Sequence, residues 1–375
     1  MSIYFDNSAT TRVSQRASEK AVYLMRECFG NPSSLHTLGF LAEKEIAHSR
    51  EAMAKAMGVL AKEIYFTSGG TESNNTALFG AAQARRKRGN HILTSAIEHP
   101  SVLETMKMLE QDGFAVEYLQ PQADGNILES QIQNAISKDT ILVSLMSVNN
   151  ETGALLPLQA VLPAIRQSGA PALFHVDNVQ GFGKQKLNVK RLGIDLMSVS
   201  GHKIHAPKGV GALYVGSGAR ILPHVFGGGQ EKNLRPGTEN APGICAMGEA
   251  VQEFSVNGNN VSDINLFLRN ELKKLGLRVN SPENASPYIL NFSTGTVRGE
   301  TMLHFFAQRE IYVSTGSACS KAKPSHVLTA MGLGKEILES SLRLSFCDEN
   351  TMEEATEFLH VLTQGLCSLQ SRSST

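Results

Sequence analysis

The stretch Asp195–Gly209, DLMSVSGHKIHAPKG, sets a short apolar run against a polar turn that carries Lys203 between two histidines. A lysine so placed is either a solvated turn residue or an amine held in a cleft. Other apolar runs end in the same manner. Gly69-Gly70-Thr71-Glu72-Ser73 follows EIYFTS and opens a helical stretch, which would turn free backbone N–H groups and a hydroxyl toward an anion such as phosphate. Glu98-His99-Pro100 follows HILTSA, Asn149-Asn150-Glu151 follows TILVSLMSV, Asp177 ends ALFHVD with Gln180 shortly after, and Ser200 and His202 precede Lys203. Taken singly, these are a helix cap, a loop histidine before a helix-starting proline and a solvated strand end. Taken together, a phosphate cradle, an aromatic ring, an isolated acid and a lysine match the needs of pyridoxal phosphate. That cofactor takes an amine for a Schiff base, an acid facing the pyridine nitrogen, donors for the phosphate and a flat partner for the ring. Lys203 would supply the amine and Asp177 the acid. Nucleotide signals are missing: Gly209-Val-Gly211 lacks a third glycine, and no G-x-x-x-x-G-K-[ST] occurs.

The elements that must position these residues read as an alternation. Strands are expected at 63–68, 91–96, 140–148, 172–177, 195–200 and 211–216, mostly as continuous apolar runs of the kind buried parallel strands show. Helices are expected at 73–88, 100–111 and 158–168, so the pattern is βα around a mostly parallel sheet. In such a sheet ligands bind beyond the carboxyl ends of the strands, where the polar groups above fall. SVNGNN (255–260) marks a change of domain, followed by a helix at 261–275, a strand at 288–293, a helix near 299–308 and a strand at 311–315. This reads as a smaller α+β domain formed by 1–14 and 256–375 beside a large domain at 15–255. MEEATEFLHVLTQGL has helical spacing, and SLQSRSST reads as a frayed end.

The 375 residues carry 35 Lys+Arg and 35 Asp+Glu with no block of like charge, so no direct contact with nucleic acid or a membrane surface is expected. No apolar run approaches the roughly 20 residues that span a bilayer, and the N-terminus lacks a basic-then-apolar leader pattern, so a cytoplasmic protein is expected. The five cysteines form no C-x-x-C pair, and the H-x-x-H of His202 and His205 has no completing ligand nearby; no metal site is expected.

At this point the sequence resembles the cysteine desulfurases of the class V aminotransferase family. The resemblance rests on FDNSATT (5–11), FGNPSSLH (29–36), FTSGGTESNN (66–75), SAIEHPSVLE (95–104), NNETG (149–153), FHVDNVQGFGK (174–184), SGHKIHAPKGVGALYV (200–215), GGGQEKNLRPGTEN (227–240) and STGSACS (314–320). It implies a fold type I pyridoxal phosphate enzyme, homodimeric, with a mostly parallel seven-stranded sheet in its large domain. By the same resemblance Lys203 forms the Schiff base, Asp177 faces the pyridine nitrogen, Gln180 the ring hydroxyl, and His99 stacks on the ring and moves protons. Gly70, Thr71, Ser200 and His202 fall at the phosphate, and Thr238 reaches the phosphate of the other subunit. Asn150, which also falls at the cofactor, and Arg343 hold substrate, the latter by its carboxylate. Cys319 matches the nucleophile.

The setting of Cys319 agrees with that role: Ser314–Pro324 is a small-residue, lysine-bearing loop, expected to be mobile and exposed, with Lys321 and Lys323 favouring a thiolate. The implied reaction turns L-cysteine into L-alanine and leaves the sulfur as a persulfide on Cys319 for an acceptor protein, an iron–sulfur scaffold or a tRNA sulfurtransferase. The segment between Cys319 and Pro324 is shorter than in many of these relatives, and Arg343 is followed by LSFCDEN where they often have glycine and arginine. Two other readings are a selenocysteine lyase or other class V aminotransferase, in which Cys319 matters less, and a weakly active platform that binds a sulfur carrier.

Overall fold

The computed structural model describes residues 2–253, 259–315 and 324–373. Its strands, in chain order, are β1 (Ile3–Tyr4), β2 (Ile64–Thr67), β3 (His91–Ser95), β4 (Ala115–Leu119), β5 (Thr140–Met146), β6 (Leu173–Asp177), β7 (Leu196–Ser200), β8 (Gly211–Val215), β9 (Arg278–Val279), β10 (Ile289–Ser293), β11 (Ile311–Tyr312) and β12 (Ser341–Ser345). Strands β2 to β8 make a seven-stranded sheet in the order β2-β8-β7-β6-β5-β3-β4. Neighbours from β7 to β4 run parallel, and only β8 is antiparallel to both of its partners. The expected α/β fold with a mostly parallel seven-stranded sheet is therefore the one observed.

Every residue of β5, β6, β7 and β8 is buried, which is why these strands read as unbroken apolar runs. Side chains alternate across the sheet. Val143, Phe174, Met197 and Ala212 face a cluster that includes Met53, Met57 and Met247 from the helices Thr37–Met57 and Ala241–Glu253. Leu142, Leu173, Leu196 and Leu213 face the opposite cluster, with Ala77, Ala81 and Met106 from the helices Gly70–Arg85 and Pro100–Gln111. A third cluster joins Ile3 and Phe5 to Leu290, Phe292, Leu344 and Phe358 around the β12-β10-β9 sheet.

Several expectations are corrected. β4 was not foreseen, because AVEYL is a short edge strand with alternating exposure rather than an apolar run. The helices Gln15–Arg26, Thr37–Met57 and Ala241–Glu253 were also not foreseen. The strand expected at 311–315 pairs only over Ile311–Tyr312, and Ser314 then bridges to Arg343. The C-terminal helix runs from Met352 to Ser373, through most of the segment expected to fray. Residues 254–258 and 316–323, with Cys319, lie outside the described residues.

Candidate active site

β2, β3, β5, β6 and β7 share a direction, so their carboxyl ends open on one edge. Each turn leaving that edge delivers a sequence-predicted residue. Asp177 is the last residue of β6 and Ser200 the last of β7, with Lys203 in the short 3-10 turn that follows. His99 caps the helix Pro100–Gln111, where the Ser101 N–H donates to His99 Nδ1 at 3.1 Å. The turn before the helix Gly70–Arg85 demands glycine. Gly69 sits at φ +153°, and a β-carbon on Gly211 would lie 2.6 Å from the Gly69 Cα.

These residues enclose a cavity of about 550 Å³, lined by Gly70, Thr71, His99, Asn150, Asp177, Gln180, Ser200, His202, Lys203 and Arg343. The topology thus brings together residues spread over most of the chain. Thr238 does not line it; it lies exposed in the turn before the helix Ala241–Glu253. Cys319 is outside the described residues. A second cavity of about 690 Å³ opens between the helix Thr37–Met57 and the turn after β6, and holds none of the expected residues.

The electrostatics are set by burial and a few partners. Asp177 is 4% exposed; it accepts from Asn74 Nδ2 at 2.8 Å and from the Val179 N–H at 3.0 Å. Burial, aided by the charge of Lys203, holds His99 below the ordinary histidine pKa, against the pull of Asp177. Burial with Lys203 and Lys208 nearby pushes His202 down to about 4, so it faces the cavity as a neutral ring. The Lys203 ammonium donates to the carbonyls of Ser8 and Ala9 at 2.5 and 2.7 Å, and Gln180 Nε2 donates to Ser8 O at 3.0 Å. Arg343, 2% exposed, donates to Asn150 O at 2.9 Å and Asp6 Oδ1 at 2.7 Å.

Sequence reasoning missed Asp6, Ser8, Ala9, Asn74 and His326, and named Glu98 and Glu151 only as residues that follow strands, with no role. Ser8, Ala9, Asn74, Glu151 and His326 line the cavity; Glu98, the residue before His99, is fully buried and accepts from Ser95 Oγ at 2.6 Å and the Met146 N–H at 3.0 Å. Glu151 accepts from Ser325 Oγ at 2.5 Å, and His326 reaches Glu98 O at 2.9 Å. All but His326 stand inside quoted motifs, so their presence was visible, but not their partners.

Residues fit the implied cofactor on a structural criterion. Of ten buried side-chain polar atoms without a partner among the described residues, five belong to residues that line this one cavity: Ser8 Oγ, Asn74 Oδ1, Asn150 Oδ1, Gln180 Oε1 and Arg343 Nε. Buried polar groups are normally satisfied, so their convergence marks a polar ligand's place.

Fold and cavity define a class of protein, and the family comparison agrees: residues 3–358 match the class V aminotransferases, and the chain belongs to that family. Within it the chain belongs with the cysteine desulfurases. It is 41% identical over 379 residues to "Cysteine desulfurase IscS" of Methanosarcina thermophila, covering 99% of this chain and 93% of that one. Among solved structures it is similar to a "NIFS-LIKE PROTEIN" at 39% identity, with TM-score 0.91 over 98% of this chain and 100% of that one. It is also similar to "SspA in complex with cysteine" at 35% identity, with TM-score 0.81 over 92% and 98%. The chain is therefore an enzyme of a family that works with pyridoxal phosphate. Among the described residues, no helix is long and apolar enough to cross a membrane.

Proposed function

We propose that this enzyme binds pyridoxal phosphate in the 550 Å³ cavity and converts L-cysteine to L-alanine, passing the sulfur through Cys319 to an acceptor protein. The observation that carries the reading is the convergence on one cavity of Lys203, Asp177 and five residues that each hold an unpartnered buried polar atom. Lys203 would hold the cofactor covalently, Asp177 its ring nitrogen, Gln180 its ring hydroxyl, His99 its ring face, and Gly70, Thr71, Ser200 and His202 its phosphate. Thr238 would reach the phosphate in the partner subunit of a homodimer. When bound, the cofactor supplies an electron sink for the substrate α-carbon.

The chain's own residues do the rest. Arg343, with Asn150 beside it, binds and orients the substrate carboxylate. Neutral His99, or the Lys203 amine once released, takes the α-proton and returns it. The Cys319 thiolate attacks the substrate sulfur; an S–S bond forms as the carbon–sulfur bond breaks, its electron pair stays with the carbon, and a proton there completes alanine. The acceptor, an iron–sulfur scaffold or a tRNA sulfurtransferase, takes the outer sulfur. The division into 15–255 and 1–14 with 256–375, and a cytoplasmic setting, belong to the same proposal. Its test is alanine formed from L-cysteine by the purified, cofactor-loaded protein with a reductant, beside Cys319→Ala. Alanine from the wild type and almost none from the variant is expected; equal alanine from both, or none from either with cofactor bound, overturns it.

A further inference from the structure

Arg343 is nearly sealed from solvent, and a buried cation without a partner is costly. Its partner is Asp6, whose Oδ1 lies 2.7 Å from one terminal nitrogen of the guanidinium, while the other donates to Asn150 O. Nε is left without a partner among the described residues, and Arg343 lines the cavity. Asp6 is held there by backbone pairing. It bridges Ser345 in parallel, the Ser345 N–H donates to Phe5 O at 2.7 Å, and the Asn7 N–H donates to Ser345 O at 3.2 Å. Ser345 is two residues from Arg343 on β12, so the two side chains leave the strand on the same side. The carboxylate is thus fixed beside the guanidinium before any substrate arrives. The same segment turns the carbonyls of Ser8 and Ala9 to Lys203, so one strap holds both cationic side chains that the proposed function assigns to an amino acid's carboxylate and to the cofactor.

We propose that Asp6 is a positioning and specificity-determining residue: it fixes the guanidinium of Arg343 and cancels its charge, so that the site takes one carboxylate and disfavours a second. The inference rests on the assignment of Arg343 to the substrate carboxylate. A guanidinium held on two sides presents a defined edge, which lowers the ordering left for substrate binding to supply. Because Asp6 and Arg343 together carry no net charge, a dicarboxylic amino acid gains no extra attraction and meets a carboxylate already in place.

Asp6→Ala removes both hold and charge, whereas Asp6→Asn keeps an oxygen that accepts from the guanidinium and removes only the charge. Two measurements are made on cofactor-loaded protein: KM and kcat for alanine formation from L-cysteine, and calorimetric titration with L-alanine and with L-aspartate. For Asp6→Ala, KM and the dissociation constant of L-alanine are expected to rise at least about tenfold with kcat within about threefold. For Asp6→Asn, both should stay within about threefold, and L-aspartate should bind at least about fivefold more tightly than to wild type. Unchanged KM and L-alanine binding in Asp6→Ala, or unchanged L-aspartate binding in Asp6→Asn, overturns the proposal; a loss of thermal stability alone does the same, since that is all a structural role would give. Should Asp6→Ala fail to fold, the isosteric variant decides alone. If wild type makes no alanine from L-cysteine, the proposed function fails, while the two titrations still decide the role of Asp6.

Discussion

The Asn74 amide donates to Asp177 Oδ2 at 2.8 Å and to Ser101 Oγ at 2.9 Å. Ser101 in turn holds His99 Nδ1, through its N–H at 3.1 Å and its hydroxyl at 2.8 Å. One amide from the helix Gly70–Arg85 therefore ties the acid at the end of β6 to the imidazole after β3. Asn74→Leu should weaken retention of pyridoxal phosphate by about tenfold to a hundredfold, because a hydrogen bond to a charged group contributes about 1.5–3 kcal/mol. Equilibrium dialysis of the loaded variant against cofactor-free buffer checks this; retention equal to wild type would show that Asp177 needs no such support.

His99 carries a pH prediction. Burial lowers its pKa from the ordinary 6.5, so the neutral ring needed to take a proton persists into mildly acidic solution. The acid limb of kcat/KM for L-cysteine should therefore fall below pH 6.5 rather than above it. His99→Gln should keep the cofactor and lower kcat by about a hundredfold or more, with the acid limb gone. A pH–rate profile with the same limb in the variant would assign it to another group.

Glu98 is fully buried, and burial pushes its pKa up from 4.5 to about 8. Its folded pKa lies above the unfolded one, so between those values the folded state binds more protons and stability falls as pH rises. Glu98→Gln, which keeps a neutral acceptor for Ser95 and the Met146 N–H, should remove that decline. Wild type should lose about a few kcal/mol against the variant between pH 5 and pH 8, read from denaturant unfolding at each pH. A constant difference across that range would mean Glu98 stays charged in the fold.

Arg50 and Glu231 form a two-pronged ion pair, both contacts at 2.7 Å, and Glu231 also accepts from the Phe66 N–H at 3.1 Å. The Glu231 side chain is 3% exposed, and the residue lies in the turn Gln230–Asn233 that precedes Thr238. Removing one member of a buried pair strands the other, so Glu231→Ala should cost about 3 kcal/mol of stability. Chemical denaturation checks it, and a change below about 0.5 kcal/mol would place the pair with surface ion pairs of small worth.

How much of this was legible in the sequence follows from what local pattern can encode. Strands buried on both faces, such as LFHVD and LMSVS, carry their own apolar signature, so β2, β3 and β5 to β8 were found from composition and spacing. With the strands placed, the rule that ligands sit beyond their carboxyl ends put Asp177, Ser200, Lys203 and His99 on one edge. The edge strand β4 has no such signature, because half of AVEYL faces solvent.

By itself, then, the sequence determined the residue types of the site and the sheet that gathers them, because both depend on short-range pattern. Only the tertiary structure decided what those residues touch. The carbonyls of Ser8 and Ala9 serve Lys203 across nearly 200 positions and are chemically the same as every other carbonyl, so no side-chain pattern could mark them. Asp6 and Arg343 lie 337 residues apart. Their pairing exists because the N-terminal segment runs beside β12, a register that backbone hydrogen bonding sets and spacing along the chain does not record.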